Sequence, residues 1–385
     1  MSCPQDDLPK TLTTIQGTPV GVDYACPAGT RRLMVSDAPE RLDARSLKDG
    51  DGLPLAHATL WHDYVHTWSS SQSHRVFLWH ENKTGIRVKL GLTLQNLSPA
   101  NTLQITRGKQ ETCYEPRDYL GAGMCLAKAC AGDTMEWLTP VDPVIGPDTL
   151  GIISQTTFET NLLMGAIYEF DIAKLSGPGQ LHYKLRTVVS KQVDRDLRTL
   201  RDAPIHNEGP HPRGSWPYSE IEAAIPPYMA GQTAFYNVSM AGSPDQLFRK
   251  ENSYDPDHAV TNRGHFGATY TLTIPLANPT CVPQGGQISL TPRGNNPYAG
   301  AGACAFAGFF PGIEKKVAGI PVLRPSPTAT KEIAILGTFT LPPYFSAPCK
   351  IRLMHAGGAT MPVAVYISSA APGCPVLSPK RLPQA

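Results

Sequence analysis

Gly85-Ile-Arg-Val-Lys-Leu-Gly-Leu-Thr-Leu-Gln-Asn96-Leu-Ser98 reads as a strand and its turn, and it comes back later in the chain. It aligns without a gap with Gly267-Ala-Thr-Tyr-Thr-Leu-Thr-Ile-Pro-Leu-Ala-Asn278-Pro-Thr280. Val88, Leu90, Leu92 and Leu94 recur with period two, which places them on one face of a strand. Each copy is followed by an Arg-Gly pair, Arg107-Gly108 and Arg293-Gly294. Each then reaches a second shared signature, Tyr119-Leu-Gly-Ala-Gly-Met-Cys125 and Tyr298-Ala-Gly-Ala-Gly-Ala-Cys304. Asn96, Asn278, Arg107, Arg293, Tyr119, Tyr298, Cys125 and Cys304 are therefore expected to be framework residues of a duplicated packing unit. Small residues in the second signature allow close backbone approach in both halves.

Outside the repeat, short apolar runs alternate with turn residues. The 37 prolines and 34 glycines among 385 residues are spread as punctuation, which suits short strands and not helices. Val76, Leu78 and His80 point one way along their strand, and Arg75, Phe77 and Trp79 the other. Later strands are expected at Leu150–Thr160, Gly165–Ile172, His182–Ser190, Ala268–Leu276, Gln287–Thr291, Lys331–Leu341, Lys350–His355 and Met361–Ser368. Met124–Ala131 is the helix candidate, with a further short helix at Tyr218–Ala224. The fold class is all-β: two tandem, internally duplicated β-sandwich-like domains with Pro/Gly-rich loops. The chain divides into an extended N-terminal segment (1–16), a first domain (17–191), a linker (192–230), a second domain (231–370) and a proline-rich tail (371–385).

Charged residues make up 17% and the formal net charge is +2, so no strong field invites nucleic acid or an anionic membrane. No apolar run reaches the ~18 residues of a membrane helix. The nine cysteines form no CxxC pair, which fits scattered disulfides in an oxidising compartment better than a zinc site. The odd count leaves at least one thiol free or paired between chains. The N-terminus has neither the basic start nor the apolar run of a signal peptide.

Three groups could carry chemistry. His57, His62, His66, His74 and His80 have the donor types of a transition-metal site, and Asp255 and Asp257 of a later loop have carboxylate spacing that could hold calcium. The competing reading is polar strand and loop histidines, and Asp residues that build turns, as in Asp49-Gly-Asp51. Trp61, Trp68, Trp79 and Trp216 could stack on a sugar, or pack in a core. The catalytic templates fail: there is no GxSxG elbow, HExxH or phosphate-binding loop. Gly300-Ala-Gly302-Ala-Cys-Ala305 meets the lenient dinucleotide pattern but opens no helix in a βαβ unit.

Leu33-Met-Val-Ser-Asp-Ala-Pro-Glu40, His211-Pro-Arg-Gly-Ser-Trp216, Gly264–Thr280 and Pro292–Gly300 together resemble a family of uncharacterised bacterial secreted surface proteins of the cyanobacterial type. That family is related to stalk proteins called "copper amine oxidase N-terminal domain-like". The resemblance implies secretion and a cell-surface or matrix role, with no catalytic residues and no oxidase chemistry. The expectation is a non-enzymatic, extracellular structural protein that assembles with itself, in a surface layer, filament or matrix. Residues 1–16 would serve as a strand donor to a neighbouring copy. A carbohydrate-binding module acting on cell-surface polysaccharide through its Trp residues, and a metal-binding protein, are the alternatives.

Overall fold

Alternating apolar residues set the strands, and the strands set everything else. A computed structural model describes residues 8–17, 25–116, 118–207, 209–238, 247–292, 299–307, 316–324, 326, 328–355, 357 and 363–369. The early strands are β1 (Lys10–Thr14), β2 (Ala25–Ala28), β3 (Arg32–Ser36) and β4 (Arg41–Leu42). The first sandwich uses β5 (His57–Thr67), β6 (Ser71–Asn82), β7 (Val88–Asn96), β8 (Thr102–Glu115), helix α1 (Tyr119–Gly132), β9 (Glu136–Trp137), β10 (Val144–Ile145), β11 (Leu150–Phe158), β12 (Leu163–Ser176) and β13 (Leu181–Ser190). The connection carries β14 (Arg213–Trp216), β15 (Glu220–Ala224) and β16 (Tyr228–Met229). The second sandwich follows with β17 (Ala234–Val238), β18 (Thr269–Asn278), β19 (Gln284–Pro292), β20 (Ala299–Ala307), β21 (Lys316–Leu323), β22 (Thr330–Leu341), β23 (Phe345–Met354) and β24 (Val363–Ser369). The chain is all-β apart from α1 and two short 3-10 turns among the described residues; the later strands expected from alternation are present as β11, β12, β13, β18, β19, β22, β23 and β24, while β17, β20 and β21 lie outside those expectations.

Strand order identifies the architecture. In the first sandwich one sheet runs β5-β13-β7-β11 and the other β6-β12-β8, with β9 and β10 both on the outer edge of β8. In the second, the sheets run β17-β24-β19-β22 and β18-β23-β20-β21. Each sandwich thus pairs its first, eighth, third and sixth strands in one sheet and its second, seventh, fourth and fifth in the other. That is the eight-stranded jelly roll, and the chain holds two.

Additions widen the sheets. β3 lies parallel to β6 and β14 antiparallel to β3, extending the first roll. β15 lies parallel to β18 and β2 antiparallel to β15, extending the second. The connection at 192–230 therefore holds strands of both rolls, although its prolines suggest a break in regular structure. Tyr218–Ala224 forms no helix: Glu220–Ala224 is the strand β15, whose backbone groups are satisfied by two neighbours. β1 pairs along β22 of the same chain, Lys10 opposite Ala334 through Thr14 opposite Thr330. The segment expected to reach a neighbouring copy thus covers a sheet edge of its own second roll. The proline-rich tail at 371–385 lies outside the described residues.

One core fills the first roll, including Val76, Leu78, Leu90, Leu92, Leu94, Tyr168 and Leu185. A second core joins the interior of the second roll to the outer face of β3 and β6 and to α1, through Leu33, Val35, Phe77, Trp79 and Leu126. Consequently β6 is buried on both faces, its two alternating sets serving two cores.

Candidate functional site

The seam between the rolls concentrates the molecule's most constrained chemistry. β6 projects Arg75, Phe77 and Trp79 toward the second roll, and α1 lies across β20, β21 and β23. Asp118 caps the helix by accepting from the Gly121 amide at 2.8 Å, and Asp133 ends it in a left-handed conformation. Phe77 stacks on Phe266 at 5.9 Å between ring centroids. Gly267, at φ +78°, sits where a Cβ would come within 2.9 Å of both Leu33 and Phe77, so position 267 needs both glycine's backbone freedom and its lack of side chain.

Arg75 is fully buried in this seam and has partners for all three nitrogens. Its Nε donates to Glu169 Oε1 at 2.7 Å. Nη1 donates to the Ser219 and Gly267 carbonyls at 3.0 and 3.2 Å and to Thr269 Oγ1 at 2.8 Å. Nη2 reaches Glu220 Oε1 at 3.2 Å. Around it, Arg31 bridges Glu169 and Glu220, while Arg352 pairs with Asp133 at 2.8 Å. Burial raises the cost of Glu169's charge, but Arg75 and Arg31 outweigh it and hold the carboxyl below its usual range. A buried cation so completely matched fixes the relative position of two rigid bodies.

The Asn residues of the repeat act as turn anchors, in a different register from the aligned sequence. Asn278 ends β18 and donates to the carbonyls of Val282, Leu341 and Pro342 at 2.8, 3.1 and 2.9 Å, and its Oδ1 accepts from the Thr280 amide at 3.0 Å. The matching residue in the first roll is Asn82 at the end of β6. It donates to Ile86 and Phe158 carbonyls at 2.8 and 3.2 Å and accepts from the Thr84 amide at 3.0 Å. Asn96, aligned with Asn278 by sequence, ends the third strand of its roll, not the second, and donates to Asn101 and Gly146 carbonyls at 2.7 and 2.9 Å. The aligned stretches are thus one strand out of register. Asn followed two residues later by Ser or Thr recurs because it closes such turns.

The second signature diverges further. Tyr119–Cys125 begins α1, whereas Cys304 sits in strand β20. The expectation of one packing unit in both halves fails, but the two signatures meet, since α1 packs on β20 and buries Ala122, Ala127, Ala303 and Cys304 in one core. Tyr119 donates to Glu81 Oε1 at 2.6 Å, and Arg107 lies 3.6 Å from Asp171. Arg293 and Tyr298 lie outside the described residues. No two described cysteines form a disulfide, against expectation; Cys130, Cys304 and Cys349 are buried thiols. Cys3 and Cys374 lie outside the described residues.

The histidines disperse. His57 faces Asp202 at 3.7 Å and His62 faces Asp255 at 3.9 Å. His66 lies against His182, the two rings tilted at 36° with centroids 4.7 Å apart. His74 bonds Tyr183 Oη at 2.7 Å, and His80 sits between Ser36 Oγ and the Pro39 carbonyl. Burial pushes His74 down to about 3 and His80 to about 4, holding both neutral. Asp255 also pairs with His258 at 2.9 Å. Asp49 accepts from the amides of Asp51 and Leu53 at 3.0 and 2.8 Å, which is turn chemistry. Among the described residues, three or more metal-ligand atoms lie together in Glu111, Cys113 and Cys125 and in Asp37, Glu40 and His211, neither of which includes the histidines of 57–80.

The tryptophans divide. Trp61 and Trp216 are fully buried and donate to Ser215 Oγ and the Arg249 carbonyl at 3.1 and 2.8 Å, and Trp79 lies in the seam. Of the four, Trp68 alone is open to solvent. A cleft of about 350 Å³ beside β5 is lined by His62, Tyr64, Lys184, Tyr254 and Asp255.

No protein-family model matches the chain, and no curated protein matches it. Among solved structures it is similar to Lac15 from a marine microbial metagenome, at 10% identity and TM-score 0.12 over 74% of this chain and 50% of that one. It is also similar to a multicopper oxidase from Campylobacter jejuni, at 10% identity and TM-score 0.10 over 74% and 48%. Fet3p, a multicopper oxidase that functions in iron import, matches at 6% identity and TM-score 0.12 over 74% and 51%. The chain spans about half the length of these proteins, and at such TM-scores the likeness carries no argument about copper or oxidation.

Proposed function

We propose that this is a non-enzymatic structural protein that assembles with copies of itself into a capsid-like shell or a layer. The observation that carries the reading is the joining of two jelly rolls into one block through a buried seam built around Arg75. Jelly rolls form viral capsid domains and also lectins, and the fold alone does not choose between them. Tryptophan placement favours assembly, since three of the four residues that would stack on a sugar are core. Rigid two-roll blocks suit tiling because neighbours meet at fixed angles.

Exposed apolar residues supply candidate contacts. Ile86 and Val282 occupy the same place in the anchored turns of the two rolls, and each is 50% exposed. Tyr344, held beside the second turn by the hydrogen bond its amide donates to the Thr280 carbonyl, is 75% exposed. Recurrence of exposed apolar groups at one end of both rolls is the pattern of a contact surface. An extracellular or cell-surface setting accords with this role.

The test is static light scattering of the full chain against concentration. Wild type should form high-mass species, and the triple variant Ile86→Lys, Val282→Lys, Tyr344→Lys should remain a monomer with an unchanged thermal midpoint. A wild type that stays monomeric at every concentration and ionic strength would refute the proposal.

A further inference from the structure

Outside the seam, two chain segments distant in sequence bring three ligand-type side chains together. β14 pairs antiparallel with β3, with Arg213 opposite Ser36. Two residues before Arg213, His211 therefore meets the turn that leaves β3. The Asp37 amide bonds the Pro212 carbonyl at 3.1 Å and fixes that approach. His211 Nδ1 lies 3.0 Å from Glu40 Oε2 and 3.7 Å from Asp37 Oδ2. One ligand atom from each of the three residues falls within 4.8 Å of the others.

We propose that Asp37, Glu40 and His211 bind one divalent transition-metal ion of the zinc class. Ligands held about 2.0–2.1 Å from a tetrahedral ion stand about 3.3 Å apart, and the observed 3.0 and 3.7 Å bracket that spacing. A second observation points to a ligand. Asp37 is 3% exposed, and its Oδ1 is buried with no hydrogen-bond partner. A carboxylate oxygen in that position is costly unless a cation or donor meets it. Two carboxylates and a neutral imidazole balance the charge of a divalent ion. An imidazole ligand selects zinc, nickel or copper over magnesium or calcium. The side chain of His211 is 42% exposed, so the fourth position opens outward to water or to a donor from another molecule.

Without an ion, the Asp37 and Glu40 carboxylates push His211 up to about 10, so the imidazole carries a proton that the ion displaces. Burial raises Asp37 to about 7, although His211 beside it pulls the value down. Arg41 and His80 are the further charged or titratable groups beside Glu40. The bound ion would clamp the entry of β14 to the end of β3.

Full-length protein freed of metal with a chelator and titrated calorimetrically with zinc chloride tests this. We expect one ion per chain, with affinity lowered at least tenfold in His211→Gln and in Asp37→Asn and unchanged in Glu111→Gln, which alters the other ligand cluster. His211 is half-exposed, so His211→Gln remains informative if Asp37→Asn fails to fold. Cobalt(II) should give tetrahedral visible bands without a thiolate charge-transfer band. Absence of saturable zinc binding, binding that survives His211→Gln, or a thiolate band would overturn the assignment.

Discussion

Arg75 shows how a single residue joins two bodies. Its guanidinium is buried between the rolls and its partners come from both, so truncation leaves the Ser219 and Gly267 carbonyls and Thr269 Oγ1 without their donor and Glu169 with Arg31 as its remaining close cation. Arg75→Ala should cost about 3–5 kcal/mol in urea unfolding, and a loss below about 1 kcal/mol would show that the seam does not depend on it. Asn82 and Asn278 hold equivalent turns, and each Asn→Ala change should cost about 1–3 kcal/mol, since buried carbonyls lose donors. Alternation made Arg75's orientation readable in the sequence, but not its destination. That depends on residues 144 to 194 positions away. The same holds for His211, whose partners lie about 170 residues earlier and whose role no local pattern announces. Tryptophan burial was equally hidden, because Trp suits both a sugar platform and a core. Acrylamide should quench Trp68 and Trp137 strongly and leave Trp61, Trp79 and Trp216 protected. Uniform quenching of all five would contradict this placement.

At the level of elements, period-two apolar patterns located β6, β7, β11, β12, β13, β18, β19, β22, β23 and β24. β6 is the instructive case: its pattern shows apolar residues on both faces because both are covered. The strands missed include short ones in proline-rich sequence, β14 and β15, where pairing with existing sheet edges overrides weak local preference, and also the longer β8, β20 and β21. The repeat signal was real as turn chemistry but misplaced as register, since Asn-x-Ser/Thr closes turns after more than one strand. β1 covers the outer edge of β22, and an uncovered edge invites pairing with other chains. Deleting residues 1–14 should lower the thermal midpoint and speed aggregation on heating, measured by light scattering during the melt. An unchanged midpoint and aggregation rate would show that β1 contributes nothing to the second roll.

For the whole molecule, buried histidines govern the response to acid. His74, His80 and His265 are pushed by burial to about 3, 4 and 4, from an ordinary value of 6.5. Each is neutral in the fold and protonates more readily when unfolded. Its stabilising contribution is complete above about pH 6.5 and is lost as pH falls toward the folded value, by up to about 1.4 kcal/mol per pH unit. Glu169, held low in the fold, loses its contribution in the same direction. Asp37, raised to about 7, acts oppositely, favouring the fold below its ordinary 3.8 and losing that contribution as pH rises through 7. His211, raised to about 10, contributes fully below 6.5 and loses its contribution as pH climbs through 10. The histidines outnumber Asp37, so urea midpoints should fall steadily from pH 6.5 to 4; a flat or rising profile would contradict their neutral burial. The proposed function requires a block of two joined jelly rolls that assembles with copies of itself. Electron microscopy of the purified full chain at high concentration tests it most directly: it should show closed particles or ordered sheets built from a repeating two-lobed unit, and a field of dispersed single molecules under all solution conditions would contradict it.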